Sequence, residues 1–418
     1  MINKKIVIFL FILMGVFLCS CTSDTTGEVT TIDMSAYPKY VSEVSTIGYS
    51  FDQRDVMDPF WKGNVMVNES VLLLEEDGVV SATLLYEPIK IIAVKDYRLE
   101  TTFVEGVDYT IEGRTIRKLT ESSIPFLKAE HLIGQNIPEP YRQVNSIANV
   151  LTDYVLMGPN AVYTESPFWY GNQLSVSYVY DVADVNLEVF PSFDSTRLDR
   201  SIGKMQNGDT LRITAIGDSV LEGCSSSKMF NHEPFLDNFM TLTEQGLEFY
   251  YGGEVVLNNI SVGGKTSLWG SSPTVINDII ATDPDLVFIH FGINDAGDGA
   301  SPNSYRDNIE FMILSVRDQL PDTEFVLLTS FTPNPLVYDS IRLEDYWNRL
   351  KTIAANHEGI QVIDIYQISM EIMSHKHYVD LTGNGINHVN DFSSRVYLMG
   401  ILSSLVSNDT FLSKEESQ

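Results

Sequence analysis

Cysteine is scarce in this 418-residue chain, which has three: Cys19, Cys21 and Cys224. The first two stand at the end of an apolar N-terminal run, so a processed chain would keep Cys224 as its one free thiol. A single thiol cannot build a disulfide framework, and packing must therefore supply the stability. A single cysteine of this kind is also more often a small residue packed in the core than a nucleophile.

Basic residues are also few, because 27 Lys and Arg stand against 56 Asp and Glu, a formal charge of −29. Such a charge repels phosphate backbones and anionic lipid headgroups, so nucleic acid is not an expected partner. The acidity itself indicates a solvated surface. With 44% apolar and 11% aromatic residues the chain has enough material for packed cores, and its length favours two domains.

The N-terminal apolar run, residues 6 to 18, follows two lysines and is shorter than the roughly 18–20 residues of a membrane span. It predicts a signal peptide. The segment Leu18-Cys19-Ser20-Cys21 resembles the lipobox of bacterial lipoproteins, which implies that Cys21 carries lipid and that the protein is extracytoplasmic, held in the cell envelope by a lipid anchor. An uncleaved signal anchor or a secreted protein remains the alternative.

The segment 22–40 is polar and predicts a flexible tether, and residues 41–200 then predict an all-β domain, a sandwich or jelly roll. Asp77-Gly78 between apolar runs indicates a hairpin, and Gln173 to Tyr180 alternates polar and apolar residues like a half-buried strand. The stretch Phe126 to Tyr163 has weak strand signals and indicates a long loop or a helical turn. The aromatic cluster Pro167-Phe168-Trp169-Tyr170 is interpreted as core or interdomain packing, or else as a platform for sugar rings.

From residue 208 to 407 apolar runs alternate with helical patterns, ahead of a short tail at 408–418. This rhythm predicts an α/β domain with a five-stranded parallel sheet of the flavodoxin-like kind, with helices on both faces. The predicted strands are Leu211 to Gly217, Glu254 to Ile260, Asp285 to Phe291, Glu324 to Phe331 and Gly359 to Ile365. The predicted helices are Pro234 to Phe249, Pro273 to Thr282, Ser304 to Gln319 and Leu343 to His357.

Polar residues follow three of these strands directly. Ser219 comes after the first, the segment Asn259-Ile260-Ser261-Val262-Gly263-Gly264 closes the second, and Gly292-Ile293-Asn294-Asp295 closes the third. Because the carboxyl ends of parallel strands lie on one edge of the sheet, these groups should converge. A serine nucleophile with a glycine N–H and an asparagine amide nearby is what acyl transfer through an oxyanion needs.

His388 is the best candidate for a general base among seven histidines, because it lies in a polar loop between the fifth strand and an apolar helix. His290 falls inside a strand and is interpreted as a core histidine. His375-Lys376-His377 has a metal-like spacing but lacks a recognisable carboxylate or cysteine companion, so neither a metal nor another cofactor is predicted.

In order and spacing, Gly217-Asp218-Ser219, Gly263, Gly292-Ile293-Asn294-Asp295 and His388 resemble the sequence blocks of the SGNH (GDSL-type) hydrolases, over roughly residues 208–406. The resemblance implies a Ser219 nucleophile and a His388 base. It also implies an oxyanion hole made by the Ser219 amide, the Gly263 amide and the Asn294 side chain.

One departure from that pattern concerns the acid of the triad. The family's acidic residue should stand three positions before His388, and this position is Gly385. Asp380, Asp391 or no acid at all are the alternatives, and Asp391 also stands where it would cap the last helix. Losing the orienting acid costs about 10⁴ in kcat in a serine protease.

The sequence therefore predicts an extracytoplasmic serine esterase with an acylated small-molecule or polysaccharide substrate, and within this class it favours an acetylated carbohydrate. The β domain and the expected location at the cell surface suggest a sugar substrate, and this step rests on association alone. The competing hypothesis is a catalytically weak or inactive surface lipoprotein that binds glycan.

Overall fold

Residues 39–49, 53–146 and 151–415 are described by the computed structural model of the protein. The predicted signal peptide, Cys21 and almost all of the tether lie outside these ranges. None of the helices within them is long and apolar enough to cross a membrane.

The region before residue 181 is rich in strands, as the sequence predicts. Its strands are β1 (Val65–Leu72), β2 (Leu74–Glu76), β3 (Val79–Thr83), β4 (Pro88–Asp96), β5 (Thr102–Phe103), β6 (Tyr109–Glu112), β7 (Thr115–Lys118), β8 (Leu127–Lys128), β9 (Arg142–Gln143), β10 (Asp153–Met157), β11 (Ala161–Tyr163) and β12 (Gln173–Tyr180). They form one sheet in the order β1-β12-β4-β5, a second in the order β6-β7-β3-β2-β8, and a small third in the order β11-β10-β9. We call this part of the chain the β region.

One predicted feature of the β region is confirmed and another only in part, because Gln173–Tyr180 is a strand, as predicted, but is almost completely buried rather than half-buried. Asp77 and Gly78 both have positive φ and join β2 to β3 with Glu76 opposite Val79, the tight hairpin that this dipeptide favours. Strand β12 is central, with β1 and β4 antiparallel on either side. The stretch Phe126 to Tyr163, whose strand signals in the sequence are weak, contains a 3₁₀ turn at Ala129–Ile133 and the hairpin of β10 and β11.

The second region contains the predicted parallel sheet, and its strands are β13 (Leu211–Gly217), β14 (Val255–Asn259), β15 (Leu286–His290), β16 (Glu324–Leu328) and β17 (Ile360–Ile363). Their order is β14-β13-β15-β16-β17, with every neighbouring pair parallel. The flavodoxin-like α/β expectation is therefore confirmed. We call this part the α/β region.

The α-helices of the described residues are α1 (Pro167–Tyr170), α2 (Asp199–Asn207), α3 (Ser219–Glu222), α4 (Phe239–Tyr251), α5 (Ser267–Gly270), α6 (Pro273–Ala281), α7 (Ile293–Gly297), α8 (Pro302–Gln319), α9 (Ser340–Asn356), α10 (Ile365–Met373), α11 (Asp391–Leu405) and α12 (Asn408–Glu415). Helix α11 is buried from Phe392 to Leu405 because it packs against α4 and α10 as well as against β1 and β17. It thus joins the two regions.

The same apolar core continues from the β region into the α/β region. Arg395 of α11 is buried at this boundary, and its guanidinium donates to the backbone carbonyls of Val56, Val67 and Asn68. Buried polar groups need such partners, because an unpaired one costs several kcal/mol. The boundary is therefore packed and hydrogen-bonded as a protein interior is.

Candidate active site

Ser219 lies at the carboxyl end of β13, at the first residue of α3. Asp218 caps this helix, and its side chain accepts the N–H of Val220 at 3.0 Å. Glycine is required at position 217, the last residue of β13, because a Cβ there would lie 2.5 Å from the carbonyl oxygen of His290. As the first helical residue, Ser219 has no carbonyl four residues earlier within the helix for its N–H to bond. The turn thus presents both the hydroxyl and the amide of one residue.

His388 faces this serine, with Nε2 2.8 Å from Ser219 Oγ. Its loop is held by Asn384, whose Oδ1 accepts the N–H groups of Ile386, Asn387 and His388 at 2.9–3.0 Å. Such local side-chain to backbone bonds fix an irregular loop. The structure therefore brings together the predicted nucleophile and the predicted base.

The carboxylate beside the other imidazole nitrogen belongs to Glu165, which comes just after β11 in the β region. Its Oε1 lies 2.6 Å from His388 Nδ1. Oε1 also accepts from Asn384 Nδ2 at 3.0 Å, and Oε2 accepts from Ser225 Oγ at 2.8 Å. Sequence analysis missed Glu165, because nothing in the local sequence marks this glutamate and its partner lies far along the chain.

Asp380 and Asp391, the two acids expected near His388, have other partners, and that placement was wrong. Asp380 accepts the N–H groups of Leu72 and His377 and lies 3.7 Å from the ammonium of Lys376. Asp391 accepts the N–H of Ser227 at 2.9 Å. The cap of α11 is provided one residue earlier, by Asn390.

Electrostatic coupling links Glu165 to His388. Burial works to raise the pKa of Glu165, but the charge and hydrogen bond of His388, with those of Asn384 and Ser225, bring it below its usual value. Burial works to lower the pKa of His388, and the carboxylate of Glu165, helped by Asp218 and Glu222, outweighs it and raises the pKa. The pair therefore favours an imidazolium beside a carboxylate, which makes His388 a stronger proton acceptor.

The predicted oxyanion donors follow β14 and β15. A Cβ at Gly263 would lie 3.5 Å from Ser219 Cβ, so the Gly263 backbone runs beside the nucleophile. Its N–H donates to Oε2 of Glu222 at 2.7 Å, so a carboxylate oxygen occupies this donor. One N–H of the Asn294 amide donates to the Lys265 carbonyl at 2.9 Å, and an amide nitrogen carries two hydrogens.

Other residues singled out in the sequence have structural roles in this fold. His290 is fully buried, with Nδ1 3.1 Å from Asp218, as the core interpretation requires. Burial raises the pKa of the Cys224 thiol to about 12, so this thiol is a poor nucleophile. In the aromatic cluster Phe168 and Trp169 are buried, which agrees with packing.

The two closely spaced histidines, His375 and His377, bond to protein groups. His375 Nδ1 lies 3.0 Å from a guanidinium nitrogen of Arg114. His377 caps the 3₁₀ turn Tyr378–Asp380. Among the described residues, no three His, Cys, Asp or Glu side chains are grouped so that they could hold a metal ion.

Comparison with known proteins identifies the α/β region. Residues 215–391 match the model of the GDSL-like lipase/acylhydrolase family. A two-domain esterase (CEX) active on acetylated mannans, crystallised with mannopentaose, is 18% identical, with a TM-score of 0.42, over 56% of this chain and 57% of that one. A mutant of Axe2, an acetyl-xylooligosaccharide esterase from Geobacillus stearothermophilus, is 17% identical, with a TM-score of 0.39, over 47% of this chain and 94% of that one.

This chain thus spans little more than half the length of the mannan esterase. A search of curated proteins gave no match. The family match includes both Ser219 and His388 together with Gly263 and Asn294. Residues 215–391, most of the α/β region, therefore form a GDSL-like lipase/acylhydrolase domain.

Proposed function

We propose that this protein is a serine ester hydrolase in which Ser219 is the nucleophile and His388 the general base. The observation that carries the proposal is the 2.8 Å contact between Ser219 Oγ and His388 Nε2. As Ser219 Oγ attacks the ester carbon, Nε2 takes its proton and then gives it to the leaving alcohol. Water, activated by the same nitrogen, then hydrolyses the acyl-Ser219 ester and frees the enzyme.

The negative charge on the substrate's carbonyl oxygen is stabilised by the amides of Ser219 and Gly263 and by the side chain of Asn294. Donors held in place before the reaction act strongly there, because they need no reorganisation. In the described conformation Glu222 holds the Gly263 N–H. Substrate binding therefore includes displacing this carboxylate.

The proposed substrate is an acetyl ester on a carbohydrate. The formal charge of −29 disfavours anionic lipids and phosphorylated substrates, whereas a neutral acetylated sugar meets no such repulsion. Ser219 is 6% exposed, so a short acyl group reaches its hydroxyl with less rearrangement than a long one. Glu222 also borders the site with a carboxylate, a group that accepts hydrogen bonds from sugar hydroxyls.

The test compares the purified protein with Ser219→Ala on 4-nitrophenyl acetate, 4-nitrophenyl decanoate and an acetylated xylo- or manno-oligosaccharide. Acetate release that disappears in Ser219→Ala, with acetyl preferred over decanoyl, is the expected result. Equal rates for the two proteins would refute the assignment of Ser219. Binding of the oligosaccharide with no hydrolysis by either protein would favour the competing glycan-binding function.

The proposal also places the enzyme outside the cytoplasm, anchored by lipid on Cys21. The support is the sequence Leu18-Cys19-Ser20-Cys21 after the apolar run. Several acyl chains anchor stably, since each buried CH₂ contributes about 0.8 kcal/mol. In a bacterial host Cys21→Ser should leave the membrane fraction while Cys19→Ser stays in it, and sedimentation of both with the membranes would refute a lipid on Cys21.

A further inference from the structure

We infer that Glu165 is the acid of a catalytic triad assembled from two regions of the chain, so that the β region is part of the active site. This inference rests on the proposed esterase function. Its basis is the position of Glu165 Oε1, 2.6 Å from His388 Nδ1, while His388 Nε2 contacts Ser219 Oγ. Serine, imidazole and carboxylate therefore stand in the order that a Ser–His–acid triad requires.

Both oxygens of Glu165 are held by donors from the α/β region. Ser225, which donates to Oε2, lies in the loop that follows α3 and the nucleophile. Asn384, which donates to Oε1, also fixes the backbone of the His388 loop. A carboxylate held at both oxygens stays in place and stays ionised, as an orienting group must.

The position at which the family's acid is expected cannot accept a side chain in this protein. Gly385 stands there with φ +86°, and a Cβ on it would lie 2.1 Å from the Val162 carbonyl oxygen and 2.5 Å from a ring carbon of Trp169. Both obstructing groups belong to the β region, on either side of Glu165 in the sequence. The same segment that excludes an acid from the His388 loop therefore supplies one from outside it.

The segment that carries Glu165 is fixed firmly to its surroundings. The Thr164 N–H donates to the Asn384 carbonyl at 3.1 Å, and its hydroxyl donates to the Asp153 carbonyl at 2.8 Å. On the other side Ser166 caps α1 by accepting the N–H of Phe168. Thr164 and Ser166 are each 1% exposed. Glu165 thus sits between two buried anchors, which limits its movement relative to His388.

In this arrangement Glu165 is a positioning residue that acts through His388. In the reaction its carboxylate accepts a hydrogen bond from the Nδ1–H group, which leaves Nε2 free to receive the proton of Ser219, and it stabilises the imidazolium that forms. An ion pair that merely joined the two regions would contribute to stability alone. The two roles differ in their effect on kcat and on pH dependence.

The experiment compares Glu165→Gln with Glu69→Gln as a matched control. Glu69 is a fully buried glutamate of the β region that also pairs with a cation of the α/β region, Lys376, and its contacts do not include His388. Rates are expressed per folded molecule on 4-nitrophenyl acetate, with Ser219→Ala as the blank.

Glu165→Gln should lower kcat by about 10²–10⁴-fold with KM nearly constant. The acidic limb of its kcat/KM profile should move to lower pH, because removing the carboxylate lowers the pKa of His388, which must be neutral to act as a base. Glu69→Gln should lose stability yet keep kcat and the acidic limb.

Glu165→Asp keeps the negative charge and replaces Glu165→Gln as the test variant if Glu165→Gln does not fold. It should retain the wild-type acidic limb with a smaller loss of kcat. Wild-type kcat and an unmoved limb in Glu165→Gln would overturn the inference, and so would equal losses in both Glu165→Gln and Glu69→Gln. Hydrolysis by Ser219→Ala at the wild-type rate would instead refute the proposed function itself.

Discussion

Replacing Gly385 by alanine tests how tightly the β region closes against the loop of His388. A methyl group on this residue would lie 2.1 Å from the Val162 carbonyl oxygen and 2.5 and 2.8 Å from two ring carbons of Trp169. Those distances are well inside van der Waals contact, so the two regions must move apart or the loop must distort. Either movement also shifts His388 relative to Glu165.

The size of the effect has two parts. An L-residue in the left-handed region costs about 1–2 kcal/mol, and overpacking an interior typically costs about 1–3 kcal/mol. Gly385→Ala should therefore lower the free energy of unfolding by about 2–5 kcal/mol. A misplacement of about 1 Å in a catalytic group can cost about 10²-fold in rate, so kcat should fall as well.

Urea unfolding and steady-state kinetics would measure the two effects, with Gly106→Ala as the control. Gly106 lies in the β region with a similar φ of +79°, but a Cβ there would meet no described atom within 4 Å. It should show the backbone cost alone and wild-type kcat. If Gly385→Ala is as stable as Gly106→Ala and as active as the wild type, the close packing described here is refuted.

Three further variants test other parts of the account. Asn294→Ala should lower kcat by about 10²–10³-fold with KM nearly unchanged, as for the loss of one oxyanion donor, and a change confined to KM would place Asn294 in substrate binding instead. Glu222→Ala should raise kcat/KM, because the carboxylate that occupies the Gly263 N–H no longer has to be displaced when substrate binds, and a fall in kcat/KM would show that the carboxylate is needed. Asp380→Asn should lower the free energy of unfolding by about 1–3 kcal/mol, because an amide has one acceptor oxygen and leaves the N–H of Leu72 or His377 without its partner. Its kcat per folded molecule should stay constant, and a large loss of kcat at unchanged stability would give Asp380 the role assigned to Glu165.

Much of the α/β region could be predicted from the sequence, because its strands are buried apolar runs that end at turn residues. The run Leu211 to Gly217 coincides with β13, and the run from Glu324 contains β16. Parallel strands bring their carboxyl ends to one edge, and this rule alone placed Ser219 beside the residues after β14 and β15. The pairing of Ser219 with His388 followed from the order of the family's blocks.

The acid could not be found this way, because its position depends on how two regions pack. Local patterns report periodicity and capping, and Glu165 follows a strand of three residues in a stretch with weak signals. Gly385 in the acid's expected place did indicate that the usual acid was missing. Asp380 and Asp391 are the carboxylates nearest to His388 in the sequence, whereas the carboxylate that contacts its imidazole, Glu165, comes from outside that loop.

Labelling with a fluorophosphonate ester reports whether Ser219 is an activated nucleophile, because such a reagent reacts with a serine only when a base and oxyanion donors activate it. The labelled protein is digested and the modified residue is located by mass spectrometry. We predict one phosphonylated residue, Ser219, with rapid labelling in the wild type, slow labelling in Glu165→Gln and none in Ser219→Ala. Absence of label on wild-type Ser219, or labelling that is equally fast in Glu165→Gln, would contradict a triad completed by the β region.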